Sequence, residues 1–234
     1  MTHVKGIAVV ALVALTLVAY APEAAAKPKA IGKCPTTITE PGSYALTKSL
    51  TAIGDCITVA ADFVTIDLDS LVLTGDGTGE GITDGGVGRQ VTVIRNGTIT
   101  NFDIGINLGS STDSVIEKVR AIGNTNQGMQ AVTRSTVTGN TASGNGSTGI
   151  DAGPGSTITG NTANGNVAHG INAGNNNTIS GNTASGNGTV TDDGTGITAI
   201  CSVDNVSNIV GNTAQQNDVN GSVADCNLVN NVGF

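Results

Sequence analysis

Two groups of side chains in this sequence could do chemistry. In the first, Gln130, Asp151 and Asn172 each stand two residues after a glycine, His169 stands one residue before a glycine, and the acid pair Asp192-Asp193 follows further along. If a shared offset means a shared outward face, these amides, carboxylate and imidazole suit a neutral sugar. They equally suit a divalent ion such as calcium, which takes several oxygen ligands. The second group is basic: Arg95 and Lys118 both lie ten residues before their glycine, with Arg120 two positions on, so the three are expected as one small cationic patch. The acids belong to later segments than the cations, so acid and base do not converge into a complete catalytic set.

What must position these residues is a repeat. A glycine followed by an aliphatic recurs as Gly81-Ile82, Gly105-Ile106, Gly128-Met129, Gly149-Ile150, Gly170-Ile171 and Gly196-Ile197, with Gly221-Ser222 as a weaker continuation. Intervals of 21 to 26 residues fit solenoid coils of short strands and turns and are too short for helical-pair repeats. Other positions keep step with the marker: Val93, Ile116, Val137 and Ile158 twelve before it, and Asn96, Asn140, Asn161 and Asn212 nine before it. Four before it come Asn101, Asn124, Asn145, Asn166 and Asn217. Like residues stacked at the strand spacing give dry aliphatic columns and amide columns that pass hydrogen bonds from coil to coil. Five extra residues before Gly196 form a loop carrying Asp192 and Asp193. Thr136, Thr157 and Thr178, with Thr138, Thr159 and Ser180, form a short outward threonine grid.

Composition agrees with a solenoid exported from the cell. Residues 1–26 read as a cleavable signal: Lys5, an apolar run from Ile7 to Ala19, and Ala24-Ala25-Ala26 before Lys27. This places the mature protein in a periplasm or outside the cell, and no later stretch could span a membrane. Only 12% of residues are charged and Trp is absent, as expected for a narrow core of Ile, Val and Ala. The chain carries a net charge of −8 and has no Lys or Arg after Arg134, a balance that excludes nucleic acid as a partner. The four cysteines fit an oxidising compartment. Cys201 and Cys226 each lie five residues after a marker, which predicts a Cys201–Cys226 bridge between adjacent coils and leaves Cys34 to pair with Cys56. The expected organisation is an N-terminal cap over 27–56, coils over 57–226 and a tail or cap over 227–234.

From Cys34 to Leu108, Pro41-Gly42-Ser43-Tyr44-Ala45-Leu46, Asp55-Cys56-Ile57-Thr58-Val59, Val64-Thr65-Ile66-Asp67-Leu68, Asn96-Gly97-Thr98-Ile99 and Gly105-Ile106 carry a family likeness. The chain resembles bacterial right-handed parallel β-helix repeat proteins of the pectin-lyase-like superfamily. That resemblance implies an all-β, right-handed parallel β-helix of about eight coils. It implies little about activity, because relatives include lyases, hydrolases, epimerases and surface proteins. Polyuronide lyases of the superfamily hold calcium with outward acids and use a basic residue to take a proton beside a carboxylate. His169-Gly170 and Asp192-Asp193 resemble the His-Gly and paired acids of polygalacturonase-type hydrolases, which cleave by general acid and base. The order here is reversed, since in that family the acid pair comes first.

The sequence is accordingly read as an exported scaffold or carbohydrate-recognition module without a recognisable complete catalytic site. The alternative is a small polysaccharide-degrading or epimerising enzyme. A remoter reading, from the threonine grid, is ice binding.

Overall fold

The computed structural model describes residues 27–188, 194–200, 206–215, 217, 219–222 and 226–233. The expected signal segment, Asp192, Asp193 and Cys201 lie outside the described residues. All regular structure in the described residues is β-strand, and every ladder is parallel. One sheet has nine strands, from Thr36–Ile38 to Val219–Ser222, and forms the first face of a solenoid. The other has sixteen strands and supplies two faces: the second runs from Lys29–Ile31 to Asn227–Val229, the third from Leu50–Thr51 to Thr213–Gln215. These two are joined by long strands, Thr92–Thr100 and Val115–Ile122, that cross from one face to the next. Each coil visits the three faces in turn, giving a parallel β-helix of about eight coils.

Alternation along each strand sends one residue of a repeat inward and its neighbours outward. The inward residues stack as buried columns. They are Ile57, Ile82, Ile106, Met129, Ile150, Ile171 and Ile197 on the first face and Ile66, Ile94, Ile116, Val137, Ile158, Ile179 and Ile209 on the second. On the third face the column shrinks from Leu73 and Ile99 to Ala121, Ala142, Ala163, Ala184 and Ala214. Phe102, fully buried, fills the wider N-terminal coils.

Each corner combines a left-handed residue with a buried polar side chain just after it. Between the second and third faces the left-handed column is Asn96, Lys118, Gly139, Gly160, Gly181 and Gly211 (φ 53° to 64°), a conformation glycine adopts without a β-carbon clash. Behind it run Asn140, Asn161, Asn182, Asn212 and Asn231, each Nδ2 donating to the Oδ1 of the next at 2.9–3.1 Å. A second amide ladder, Asn124, Asn145, Asn166, Asn187 and Asn217, lines the corner between the third and first faces. At the remaining corner Ser135, Ser156, Asn177 and Ser207 relay from backbone N–H to the next side chain. The buried turns thereby satisfy the polar groups that parallel strands leave at their ends.

The register differs from the sequence expectation in two places. Ile94, not Val93, pairs with Ile116. Phe102, not Asn101, takes the place below Asn124, to whose Oδ1 it donates its N–H at 3.1 Å. Val93, Asn96 and Asn101 are each displaced by one from the expected columns, because the turn from Phe102 to Gly105 is one residue shorter than that from Asn124 to Gly128. Strand pairing with one buried side fixes the register, so the turn absorbs the difference. Likewise Gly221 pairs with Ile197 and not with Gly196.

The segment 27–56, expected as a cap, already contributes strands to all three faces. Cys34 and Cys56 form a disulfide there, with Cα atoms 4.6 Å apart. Cys226 is also disulfide-bonded. The segment 227–234, expected as a tail or cap, supplies the strand Asn227–Val229.

Candidate functional site

On the first face the outward positions between the buried columns are polar. Asn107, Gln130, Asp151, Asn172 and Thr198 are register partners on five successive strands. The structure therefore brings Gln130, Asp151 and Asn172 together as neighbouring rungs about 4.8 Å apart. Asn172 Nδ2 donates to Asp151 Oδ1 at 2.9 Å, and Asn107 Nδ2 donates to Glu80 Oε1. Burial pushes the Asp151 carboxyl above the ordinary aspartate value, against the opposing pull of the Asn172 hydrogen bond and the positive form of His169. His169 lies beside this row, and its Nδ1 accepts the Thr195 backbone N–H at 3.2 Å, which ties the ring to the next strand. Thr198 Oγ1 is buried without a hydrogen-bond partner at the far end of the row.

Asn107 and Glu80 extend the face toward the N-terminus and were missed in the sequence. Asn107 also stands two residues after a marker, Gly105, so the shared offset could have found it. Asp192 and Asp193, the other acids of the face expected to suit calcium, lie outside the described residues. No three of His, Cys, Asp or Glu gather among the described residues.

The expected cationic patch divides. Arg95 Nε donates to Asp67 Oδ2 at 2.9 Å, a partner the sequence reading did not identify. Burial raises the Asp67 carboxyl, but hydrogen bonds from the Asp69 N–H, Arg95 and Asn96 together hold it below the usual range. Lys118 and Arg120 instead line an open groove of about 400 Å³ with Ser70, Asn96, Gly97 and Thr98, at the corner between the second and third faces. That corner is far round the coil from Asp151, so acid and base remain apart.

The threonine grid does stack, Thr136 on Thr157 on Thr178. A longer rank, Thr141, Thr162, Thr183 and Thr213, runs along the third face.

No curated protein matches the chain. Solved structures of similar fold include the periplasmic alginate epimerase AlgG, at a TM-score of 0.53 and 17% identity over 79% of this chain and 50% of that one. A double mutant of AlgG gives a TM-score of 0.54 at 17% identity over 79% and 51%. The A-module of the Azotobacter vinelandii mannuronan C-5 epimerase AlgE4 gives 0.48 at 14% identity over 88% and 86%. The chain thus spans about half the length of AlgG, and at such identities the likeness is one of fold. A family model described as right handed beta helix region matches residues 54–184, more than half of the sequence. The repeat, the three parallel ladders and this match agree, and the chain belongs to the right-handed β-helix family.

Proposed function

We propose that this is an exported polysaccharide-binding β-helix that lays an extended sugar chain along the outward row of its first face. The observation that carries the reading is the row itself: Asn107, Gln130, Asp151 and Asn172 in register on successive strands. The amides offer both donors and acceptors to sugar hydroxyls, and the Asp151 carboxyl adds further acceptors, at a spacing that repeats along the solenoid axis. The Cys34–Cys56 disulfide supports an oxidising compartment, and the alginate epimerases of the same fold make acidic polysaccharides the first ligands to try. The test is calorimetric titration with alginate, pectic and neutral oligosaccharides. Binding that weakens in Gln130→Ala and Asn172→Ala supports the reading; no binding, or binding indifferent to both substitutions, refutes it.

A second reading has one specific observation in its favour. Asp151 keeps its proton to higher pH than an ordinary aspartate and lies beside His169, an acid next to a potential base. In this reading the chain epimerises or cleaves a polyuronate. Turnover followed by NMR on mannuronate-rich alginate, and its loss in Asp151→Asn, decides between binding and catalysis.

A further inference from the structure

The cationic groove on the far corner is not used by the row on the first face, and it departs from the protein's own repeat. Position 118 belongs to a left-handed column that is glycine in four later coils, Gly139, Gly160, Gly181 and Gly211. Lys118 adopts the same conformation, at φ 53°, although its β-carbon makes that backbone unfavourable. Position 120 pairs with Thr141, and the same column continues as Thr162, Thr183 and Thr213. Where the repeat is satisfied by Gly and Thr, this one coil places Lys and Arg, two residues apart and on the same groove. Asn96, in the same column one coil earlier, adopts this backbone too, so what sets the coil apart is a pair of charges where later coils have Gly and Thr.

The surroundings leave both charges available. The described ion pairs consume Lys29 with Glu40, Arg95 with Asp67 and Arg134 with Asp113. Lys118 and Arg120 have no carboxylate within ion-pair distance among the described residues, and no acid lines the groove. The nearby Glu117 faces out on the second face, as the register partner of Arg95. In a chain of net charge −8, this is a local positive site with a volume typical of small-ligand sites, roughly 300–1,000 Å³.

We infer that the groove lined by Lys118 and Arg120 binds the acidic group of a saccharide, a carboxylate or a sulfate. A guanidinium fork grips such a planar or tetrahedral oxyanion through two parallel hydrogen bonds, and the ammonium adds a point charge. Ser70 and Thr98 line the same groove. The inference rests on the saccharide reading above but concerns a separate corner of the solenoid, so the substitutions that weaken binding tell the two failures apart.

The protein supplies its own conservative variants, Lys118→Gly and Arg120→Thr, each installing the residue found at that position in later coils. Titration uses three probes: an oligouronate, a sulfated oligosaccharide, and the neutral oligomer made by carboxyl reduction. At least one charged probe should bind and weaken with added salt, and any binding of the neutral oligomer should be indifferent to both variants. Each variant should weaken binding by about tenfold with an unchanged circular dichroism spectrum. Which charged probe binds identifies the acidic group. The inference is overturned if neither charged probe binds, if Lys118→Gly and Arg120→Thr weaken the neutral oligomer as much as the charged one, or if Asn172→Ala abolishes binding that Lys118→Gly and Arg120→Thr leave intact.

Discussion

Replacing Asn161 with alanine tests whether the amide ladder holds the coils together or merely fills a corner. The Asn161 side chain makes four hydrogen bonds inside the solenoid. Oδ1 accepts from the Asn140 N–H at 2.9 Å and from Asn140 Nδ2 at 3.1 Å; Nδ2 donates to the Val137 carbonyl at 2.8 Å and to Asn182 Oδ1 at 3.0 Å. After truncation Asn140 Nδ2 keeps the Ile116 carbonyl and Asn182 Oδ1 keeps the Asn161 N–H. The Asn140 N–H is left stranded in a buried corner. One orphaned donor costs roughly 1–3 kcal/mol, and each of the three further lost bonds roughly 0.5–1.5 kcal/mol, which together give about 2.5–7.5 kcal/mol. That is a large share of a domain's stability. Equilibrium urea unfolding measures it, with Thr162→Ala, an outward neighbour, as a control expected within about 0.5 kcal/mol. Asn231→Ala, at the half-buried end of the same ladder, should cost less than Asn161→Ala. A loss at Asn161 no larger than that at Thr162 would refute the reasoning.

Two more outcomes follow from geometry already described. Because the Asp151 carboxyl lies above its unfolded value of 3.8, its contribution to stability is full below that value and is lost as pH rises through the folded one. Asp151→Asn, which cannot ionise, should therefore melt higher than wild type at neutral pH and converge with it in acid; thermal melts across the range would show the opposite trend if burial were not the cause. Replacing Cys34 and Cys56 together by serine opens a loop of sequence separation 22 and should lower stability by about 3 kcal/mol, read by the same urea titration.

The aliphatic columns were legible because a parallel solenoid stacks identical side chains, so Ile150, Ile171 and Ile197 announce themselves at one offset from Gly149, Gly170 and Gly196. The adjacency of Gln130, Asp151 and Asn172 follows from the same rule. Register was lost where turn length changes, between Phe102 and Gly105, because a fixed offset counts residues whereas the sheet counts hydrogen bonds. The Asp67–Arg95 pair was hidden for the same reason: 28 residues separate partners that stack directly, against 21 in the regular coils. The groove at Lys118 was invisible because its meaning lies in a backbone angle shared with glycines, and side-chain type alone does not report it.

Both amide ladders point one way: every Nδ2 hands its hydrogen to the neighbour nearer the C-terminus. A coil is therefore a unit with a head and a tail. From Asn140 to Asn182 successive units are spaced by 21 residues. A copy of residues 157–177 inserted after Asn177 would meet an acceptor above and a donor below at the ladders and lengthen the molecule by about 4.8 Å. The protein behaves like a threaded rod, whose length, and the number of rungs it offers along each face, is set by how many times one segment has been copied.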